Sequence, residues 1–191
     1  IRPGQAMNLG VGVPADVGIV LAEEGVSDYA LLTTEAGAVG GTPADDKNFG
    51  HAYNVLAQVG MHEQFDYYDG GGLDLTILGT AQTDSRGDVN VSKFNGRVAG
   101  CGGFINITAT AKHVVFAGSF TAGGLDVQFA DGGCRIAAEG KVRKFVRDVE
   151  QITFSGEQAS LAGQSVLYVT ERAVFELREG RLQFAIEDPD A

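Results

Sequence analysis

The sequence is poor in the residue types that nucleic-acid and metal binding require. Its 191 residues include 14 Lys and Arg against 25 Asp and Glu, and the formal net charge is −11. Because nucleic-acid binding needs clustered cations facing the phosphates, we expect no nucleic-acid partner. The three histidines, His51, His62 and His113, lack the spacing of metal ligands, so we predict no metal site.

Cysteines and long apolar runs are also scarce. Cys101 and Cys134 are too few for a disulfide framework. No apolar run reaches the length that crosses a membrane, and no segment resembles a signal peptide. No serine stands in a G-x-S-x-G motif, which disfavours a serine hydrolase. These absences favour a reducing, cytoplasmic compartment without a membrane partner.

Glycine, in contrast, is abundant. The 28 glycines show no period, which excludes collagen-like and repeat architectures. Glycine serves where the backbone needs a positive φ or approaches another group closely. The clusters follow apolar segments and predict backbone-lined loops that converge on one region: 10–12, 37–41, 70–72, 100–103, 123–124 and 132–133.

The pattern of apolar segments predicts an α/β fold, with an open, mainly parallel sheet flanked by helices and an antiparallel β extension. The chain begins as a βαβ unit, which implies a right-handed crossover between parallel strands. Predicted strands are Ala6–Val13, 29–34, Leu73–Gly79 and His113–Gly118; predicted helices are Ala15–Glu24, Met61–Asp69 and Phe104–Ala111. The antiparallel pieces are Leu125–Phe129, Arg135–Ala137, Val142–Phe145, Gln151–Phe154, Val166–Thr170, Ala173–Arg178 and Arg181–Ile186, with Glu179-Gly180 as the last hairpin turn.

We expect residues 1–191 to form a single domain. The chain opens on Ile1 and closes on a polar tail, which predicts that it is a fragment of a longer, two-domain chain. Pro43–Gly60 has mixed signals and is interpreted as a long active-site loop with a helix or strand near Ala52–Val59.

The candidate reacting group is Glu35, which ends the predicted strand 29–34. An α/β sheet places reacting groups at the carboxyl ends of its strands. Gly37, Gly40 and Gly41 follow it and leave room for a large substrate to approach the carboxylate. The alternative is that Glu35 is a polar strand terminus and the glycines form a turn.

A second hypothesis comes from the first glycine cluster. Gly10, Gly12 and Ala15 match the loose dinucleotide-binding pattern G-x-G-x-x-A, and Glu35 stands near the position of its ribose-binding acid. Pro14 would stiffen that turn, and the glycines after Glu35 have no task in ribose binding. A dinucleotide-binding α/β module is therefore retained as an alternative.

Two other groups have two interpretations each. The cations Lys141, Arg143, Lys144 and Arg147 form a solvated hairpin face or hold ligand phosphates. The aromatic residues Phe65, Tyr67 and Tyr68 line an acyl pocket or pack in the core, and we favour packing.

Six motifs together resemble the family I CoA-transferases. More narrowly, they are similar to the C-terminal, β-type half of acetate, propionate and other short-chain acyl-CoA:carboxylate CoA-transferases. The motifs are N-L-G-V-G-V-P (8–14), T-T-E-A-G-A-V-G-G (33–41), Y-D-G-G-G-L-D-L-T-I-L-G (68–79), G-D-V-N-V-S-K-F (87–94), G-C-G-G-F-I-N-I (100–107) and Y-V-T-E-R-A-V-F-E-L (168–177).

The resemblance implies a transferase in which Glu35, in its E-x-G motif, forms a covalent glutamyl-CoA thioester during ping-pong exchange. It implies CoA as a substrate and no cofactor. It also implies a missing N-terminal, α-type half or subunit, a homo-oligomer, and an isolated fragment that is inactive. The non-enzymatic rival is a catalytically incomplete module of the same fold.

The resemblance also implies backbone N–H donors for the oxyanion, which we assign to Val11 and to Gly102 or Gly103. Gly37, Gly40, Gly41 and Gly100 are the predicted substrate-binding positions. The alternative for 100–103 is a plain strand-to-helix turn, and Cys101 is interpreted as a small filler there.

Overall fold

The computed structural model describes residues 1–44, 48, 50–130 and 133–185. The chain folds into two compact units, of residues 1–79 with 102–115 and of residues 80–101 with 116 onwards. The helices are α1 (Val13–Glu23), α2 (Met61–Asp69), α3 (Phe104–Thr110) and α4 (Gly156–Leu161). The strands are β1 (Gln5–Leu9), β2 (Ala30–Thr33), β3 (Ala38–Val39), β4 (Thr42–Pro43), β5 (Ala52–Tyr53), β6 (Ala57–Gln58), β7 (Leu75–Leu78), β8 (Gln82–Thr83), β9 (Val89–Asn90), β10 (Lys93–Phe94), β11 (Arg97–Val98), β12 (His113–Ala117), β13 (Thr121–Ala122), β14 (Asp126–Ala130), β15 (Gly133–Ala138), β16 (Val142–Arg143), β17 (Ser165–Val169), β18 (Val174–Arg178) and β19 (Arg181–Phe184).

The first unit is built on a sheet with the strand order β12-β7-β1-β2-β3-β6. β1 is parallel to both β2 and β7, and Met7 is in register with Leu32 on one side and Leu75 on the other. All three side chains are buried. β3 and β6 then continue the sheet in antiparallel fashion. β7 reads Leu-Thr-Ile-Leu and is buried throughout, as expected for a parallel strand covered on both faces.

The crossover from β1 to β2 passes through α1 and confirms the predicted βαβ start. The strand ends at Leu9 and the helix begins at Val13, so the predicted strand to Val13 was too long. The physical reason lies in Gly12, whose φ of +79° starts the helical turn, and in the bond from the Ala15 N–H to the Gly12 carbonyl.

The region from Pro43 to Gly60, predicted as a long loop with a helix or strand near Ala52–Val59, contains short paired strands in its described residues. β4 pairs with β5, and β6 pairs with β3. The N–H groups of Leu56 and Val59 donate to the carbonyls of Val39 and Gly37, at 2.9 Å each. The segment is therefore attached to the chain that follows Glu35.

The second unit contains the antiparallel sheet β17-β18-β19. Its last turn is Glu179-Gly180, as predicted, and both residues have a positive φ of 52° and 70°. Positive φ at both central positions is the signature of a type I′ hairpin. Ile186, the predicted end of the last strand, lies outside the described residues.

Two predictions in the second unit were wrong. Gln151–Phe154 is not a strand, because its pairing is limited to a single bridge from Phe154 to Val89. Helix α4 follows directly and was missed; the Ser155 hydroxyl caps it by accepting a hydrogen bond from the Gln158 N–H. The predicted strand Val142–Phe145 is reduced to the two residues of β16.

Tyr168 anchors the core of this second unit. Its side chain is 1% exposed, and its hydroxyl donates to the Gly87 carbonyl at 2.6 Å. The ring packs beside Phe116, which makes an edge-to-face contact with Phe154. Within the described ranges, no helix is long and apolar enough to cross a membrane.

Candidate active site

Glu35 stands in a tight turn that begins one residue after β2 ends. The Gly37 N–H donates to the Thr34 carbonyl, and the Thr34 N–H donates to the Ala38 carbonyl, each at 3.0 Å. Gly37 has a φ of +98°, which is the left-handed region that favours glycine. The turn leaves the Glu35 side chain half-buried.

Gly103, which precedes α3, contacts the Glu35 carboxylate directly. Its backbone N–H donates a hydrogen bond to that carboxylate. A methyl group added to Gly103 would lie 2.6 Å from Oε2 of Glu35 and 2.8 Å from Cζ of Phe65. The φ of Gly103 is −80°, so the constraint at this position is crowding and not backbone conformation. Glu35, Gly103 and Phe65 therefore form one packed cluster.

Burial raises the pKa of Glu35 above its ordinary value of 4.5, and the hydrogen bond from Gly103 opposes this rise. Desolvation disfavours the charged form of a carboxyl group, so burial shifts the pKa of Glu35 upward. A carboxylate that has lost part of its water shell is a more reactive nucleophile. The backbone donor at the same time marks a place beside Glu35 where negative charge is stabilised.

A buried polar chain lies beside β2. The Tyr68 hydroxyl donates to Oγ1 of Thr33 at 2.9 Å, and Thr33 in turn donates to the Met7 carbonyl at 2.8 Å. The Asn8 amide donates to the Tyr68 hydroxyl at 3.3 Å. The charge of Glu35 contributes to a raised pKa of Tyr68, after the larger effect of burial.

The other two predicted backbone donors, Val11 and Gly102, have more open surroundings than Gly103. Val11 is in the exposed loop between β1 and α1, and Gly102 has a φ of +53° with open space around its Cα. Among the described residues, a hydrogen bond to Glu35 is found for Gly103 and not for Val11 or Gly102. The oxyanion roles of Val11, Gly102 and Gly103 stay predictions.

The predicted substrate-binding glycines have two kinds of surroundings. A methyl group on Gly37 would lie 2.1 Å from the Val59 carbonyl oxygen, one on Gly41 would lie 2.1 Å from the Tyr53 carbonyl oxygen, and one on Gly40 would lie 2.7 Å from Leu56. The space that these three glycines leave is taken by the segment 53–59. Gly100, in contrast, has open space at its Cα. Their role in substrate binding stays a prediction.

The aromatic and cationic groups also differ among themselves. Tyr68 is fully buried, as the packing interpretation expects. Tyr67 is 44% exposed, so packing in the core was wrong for it, and Phe65 lies against Gly103 beside Glu35. Lys141, Arg143 and Arg147 are exposed. Lys144 is half-buried, and burial lowers its pKa.

Comparison with known proteins identifies the family. No protein-family model matches the chain. The chain is 48% identical over 187 residues to the caffeate CoA-transferase of Acetobacterium woodii, a match that covers 95% of this chain and 36% of the relative. It is 47% identical over 182 residues to the acetate CoA-transferase YdiF of Escherichia coli O157:H7, covering 95% and 34%. The chain belongs to the family I CoA-transferases. It corresponds to the C-terminal half that the motifs predicted.

This CoA-transferase chain spans about a third of the length of the curated relatives it matches. The crystal structure of YdiF from Escherichia coli O157:H7 as a thioester complex with CoA matches it with a TM-score of 0.89 and 44% identity. That match covers 98% of this chain and 36% of the solved one. The prediction of an α/β, CoA-transferase-like fold is therefore confirmed.

Proposed function

We propose that this chain belongs to an enzyme that transfers CoA between an acyl-CoA and a carboxylate, with Glu35 as the covalent nucleophile. The observation that carries the proposal is the half-buried Glu35 carboxylate against the Gly103 N–H, in a chain of this family. The solved thioester complex of the similar YdiF supports a covalent step.

The exchange runs through two covalent states, which split one difficult reaction into easier steps. The Glu35 carboxylate attacks the thioester carbonyl of the donor, CoA thiolate leaves, and a mixed anhydride forms. The thiolate then attacks the glutamyl carbonyl, which releases the donor's carboxylate and leaves glutamyl-CoA. An acceptor carboxylate reverses these two steps, receives CoA and regenerates Glu35.

In this scheme the Gly103 N–H serves the resting and the reacting states. It stabilises the free carboxylate, and it lies where negative charge develops on the glutamyl carbonyl oxygen. One such donor contributes roughly 3–4 kcal/mol to the barrier in other acyl-transfer enzymes. Val11 and Gly102 are proposed as further donors, and Gly37, Gly40, Gly41 and Gly100 as positions that substrate approaches.

For the substrate we propose a short-chain acyl-CoA, such as that of acetate or propionate, with a short-chain carboxylate as acceptor. The named relatives point to two sizes of acid, acetate and caffeate, at almost equal identity to this chain. Individual methylenes change specificity by only about 1–3 kcal/mol. A few pocket residues are therefore enough to choose between such acids.

The partner proposed for this chain is the remaining part of a CoA-transferase, an α-type half or subunit, in a cytoplasmic homo-oligomer. The relatives are nearly three times as long as the chain, so the isolated chain is expected to be inactive. We expect no cofactor beyond CoA itself, which is a substrate. Measuring turnover of the isolated chain and of the full-length protein tests the partner directly.

Trapping the covalent state tests the nucleophile. The full-length protein would be incubated with acetyl-CoA, treated with borohydride or hydroxylamine, digested and analysed by peptide mass. Modification on the peptide that contains Glu35, lost in Glu35→Gln and kept in the exposed control Glu23→Gln, is the expected result. Turnover that survives Glu35→Gln would reject the nucleophile and favour a non-catalytic module. Binding of NAD or FAD would instead support the dinucleotide alternative.

A further inference from the structure

Tyr68 contacts two residues next to Glu35: Thr33, which precedes it in the chain, and Phe65, which packs beside Gly103. Its hydroxyl donates to Thr33, two residues before Glu35 in the chain, at 2.9 Å. Its ring meets Phe65 edge-on, with the ring centroids 5.7 Å apart and the planes at 79°. Phe65 in turn lies against the Cα of Gly103, on the side where the Glu35 carboxylate also packs. The buried Tyr68 side chain thus connects the end of β2, which precedes Glu35, to the Phe65 ring beside the carboxylate.

The other contacts of Tyr68 fix it in place. Its side chain is 0% exposed, and the Asn8 amide donates to its hydroxyl at 3.3 Å. The Thr110 hydroxyl donates to its backbone carbonyl, which ties this end of α2 to the end of α3. Because its ring, its hydroxyl and its backbone carbonyl all make contacts, Tyr68 has a fixed position and gives Thr33 and Phe65 a rigid support.

We infer that Tyr68 is a positioning residue for Glu35, acting through Thr33 and Phe65 without touching substrate. The inference rests on the proposed function and adds a residue outside the reacting groups. A carboxylate that must reach a thioester carbonyl depends on near-attack geometry, and a misplacement of about 1 Å costs on the order of 100-fold in rate. Losing the bond to Thr33 while the contact with Phe65 remains is expected to lower the rate by less than about 100-fold.

Tyr68→Phe in the full-length enzyme tests the inference, because it removes the hydroxyl and keeps the ring. We expect kcat to fall about tenfold while KM for acyl-CoA stays within about twofold, since binding contacts are unchanged. The matched control is Tyr168→Phe in the second unit. Tyr168 is 1% exposed and its hydroxyl makes one buried hydrogen bond, to Gly87, whereas the Tyr68 hydroxyl makes two, so the urea midpoint of each variant is measured beside its kcat. The kcat of Tyr168→Phe is expected to be unchanged.

Equal losses of kcat in Tyr68→Phe and Tyr168→Phe would overturn the inference, because stability alone would then explain both. A rise in KM at constant kcat would also overturn it. Thr33→Val removes the acceptor from the other end of the same bond and provides a second measurement if Tyr68→Phe does not fold. The two changes share the bond from Tyr68 to Thr33, so combined they are expected to cost less than the sum of the two single losses, as residues in one network do.

The experiment separates this inference from the proposed function. Modification of Glu35 together with normal kcat in both Tyr68→Phe and Thr33→Val would overturn the positioning role alone. Full turnover in Glu35→Gln would overturn the proposed function itself.

Discussion

Adding a methyl group at Gly103 is expected to displace Glu35, the proposed nucleophile, while leaving the fold intact. The methyl carbon of Gly103→Ala would lie 2.6 Å from Oε2 of Glu35, and an ordinary contact begins at 3.4 Å. Restoring that contact moves the carboxylate oxygen by about 0.8 Å, which on the scale of about 100-fold per ångström predicts a loss of kcat of roughly 10- to 100-fold. The N–H donor is retained, so the loss reports geometry and not the missing hydrogen bond.

Stability should respond much less than activity. The φ of −80° suits alanine, and replacing a glycine in a compatible conformation stabilises a protein by about 0.4–1 kcal/mol through the unfolded chain. The groups that must give way, Glu35 and Phe65, are side-chain ends. We therefore expect the urea midpoint of Gly103→Ala to change little in the full-length enzyme.

The assay is the rate of glutamyl-CoA formation in a single turnover, measured beside the urea midpoint. Gly18→Ala is the matched control, because Gly18 lies in helix α1, where an added methyl group meets Leu9 at an ordinary 3.5 Å. Its rate should be unchanged and its stability equal or higher. A Gly103→Ala enzyme that forms the thioester within about twofold of the parent rate would refute the reasoning.

Three further predictions concern the Glu35 carboxyl group, two glycines and one ion pair. Because burial raises the pKa of Glu35, kcat/KM should fall as pH decreases through that raised value. The raised pKa stabilises the folded protein below pH 4.5, and this stabilisation is lost as pH rises through the folded pKa. Glu35→Gln should therefore be the more stable protein near neutral pH and lose this advantage in acid, as urea unfolding at several pH values would show. Gly41→Ala, at a φ of +78° and 2.1 Å from a carbonyl oxygen, should lower the free energy of unfolding by more than Gly100→Ala, whose open position costs only about 1–2 kcal/mol for the left-handed conformation. Lys112→Met breaks an ion pair between the exposed Lys112 and the partly buried Asp74, and it should change the free energy of unfolding by less than about 1 kcal/mol, an effect that shrinks further in high salt.

Local chemistry explains which parts of the fold the sequence predicts well. Helix α2 has the predicted bounds because Glu63 accepts a hydrogen bond from the Gly60 N–H at its start and Gly70 ends it. The hairpin at Glu179-Gly180 follows from its glycine, which adopts a positive φ without steric cost. Both features depend on neighbours only a few positions away. Helix α4, with six residues, is too short to show a clear period.

The candidate site is harder to predict because its contacts join distant positions. The family pattern indicates Glu35 as the reacting group, but the contact with Gly103 spans 68 positions, and the bond from Tyr68 to Thr33 spans 35. Nor can a sequence distinguish a glycine that makes room for substrate from one that makes room for its own chain. Gly37 and Gly41 show the difficulty, since carbonyl oxygens of the segment 53–59 occupy the space beside them.

The hydrogen-bond donor to Glu35 is the backbone N–H of Gly103, and this determines how the pair responds to pH. A peptide group neither gains nor loses a proton at any pH the enzyme meets, and among the encoded residues only proline would delete the donor. Acidification therefore alters one member of the pair and leaves the other as it was. Titration of this pair should therefore follow a single proton, that of Glu35.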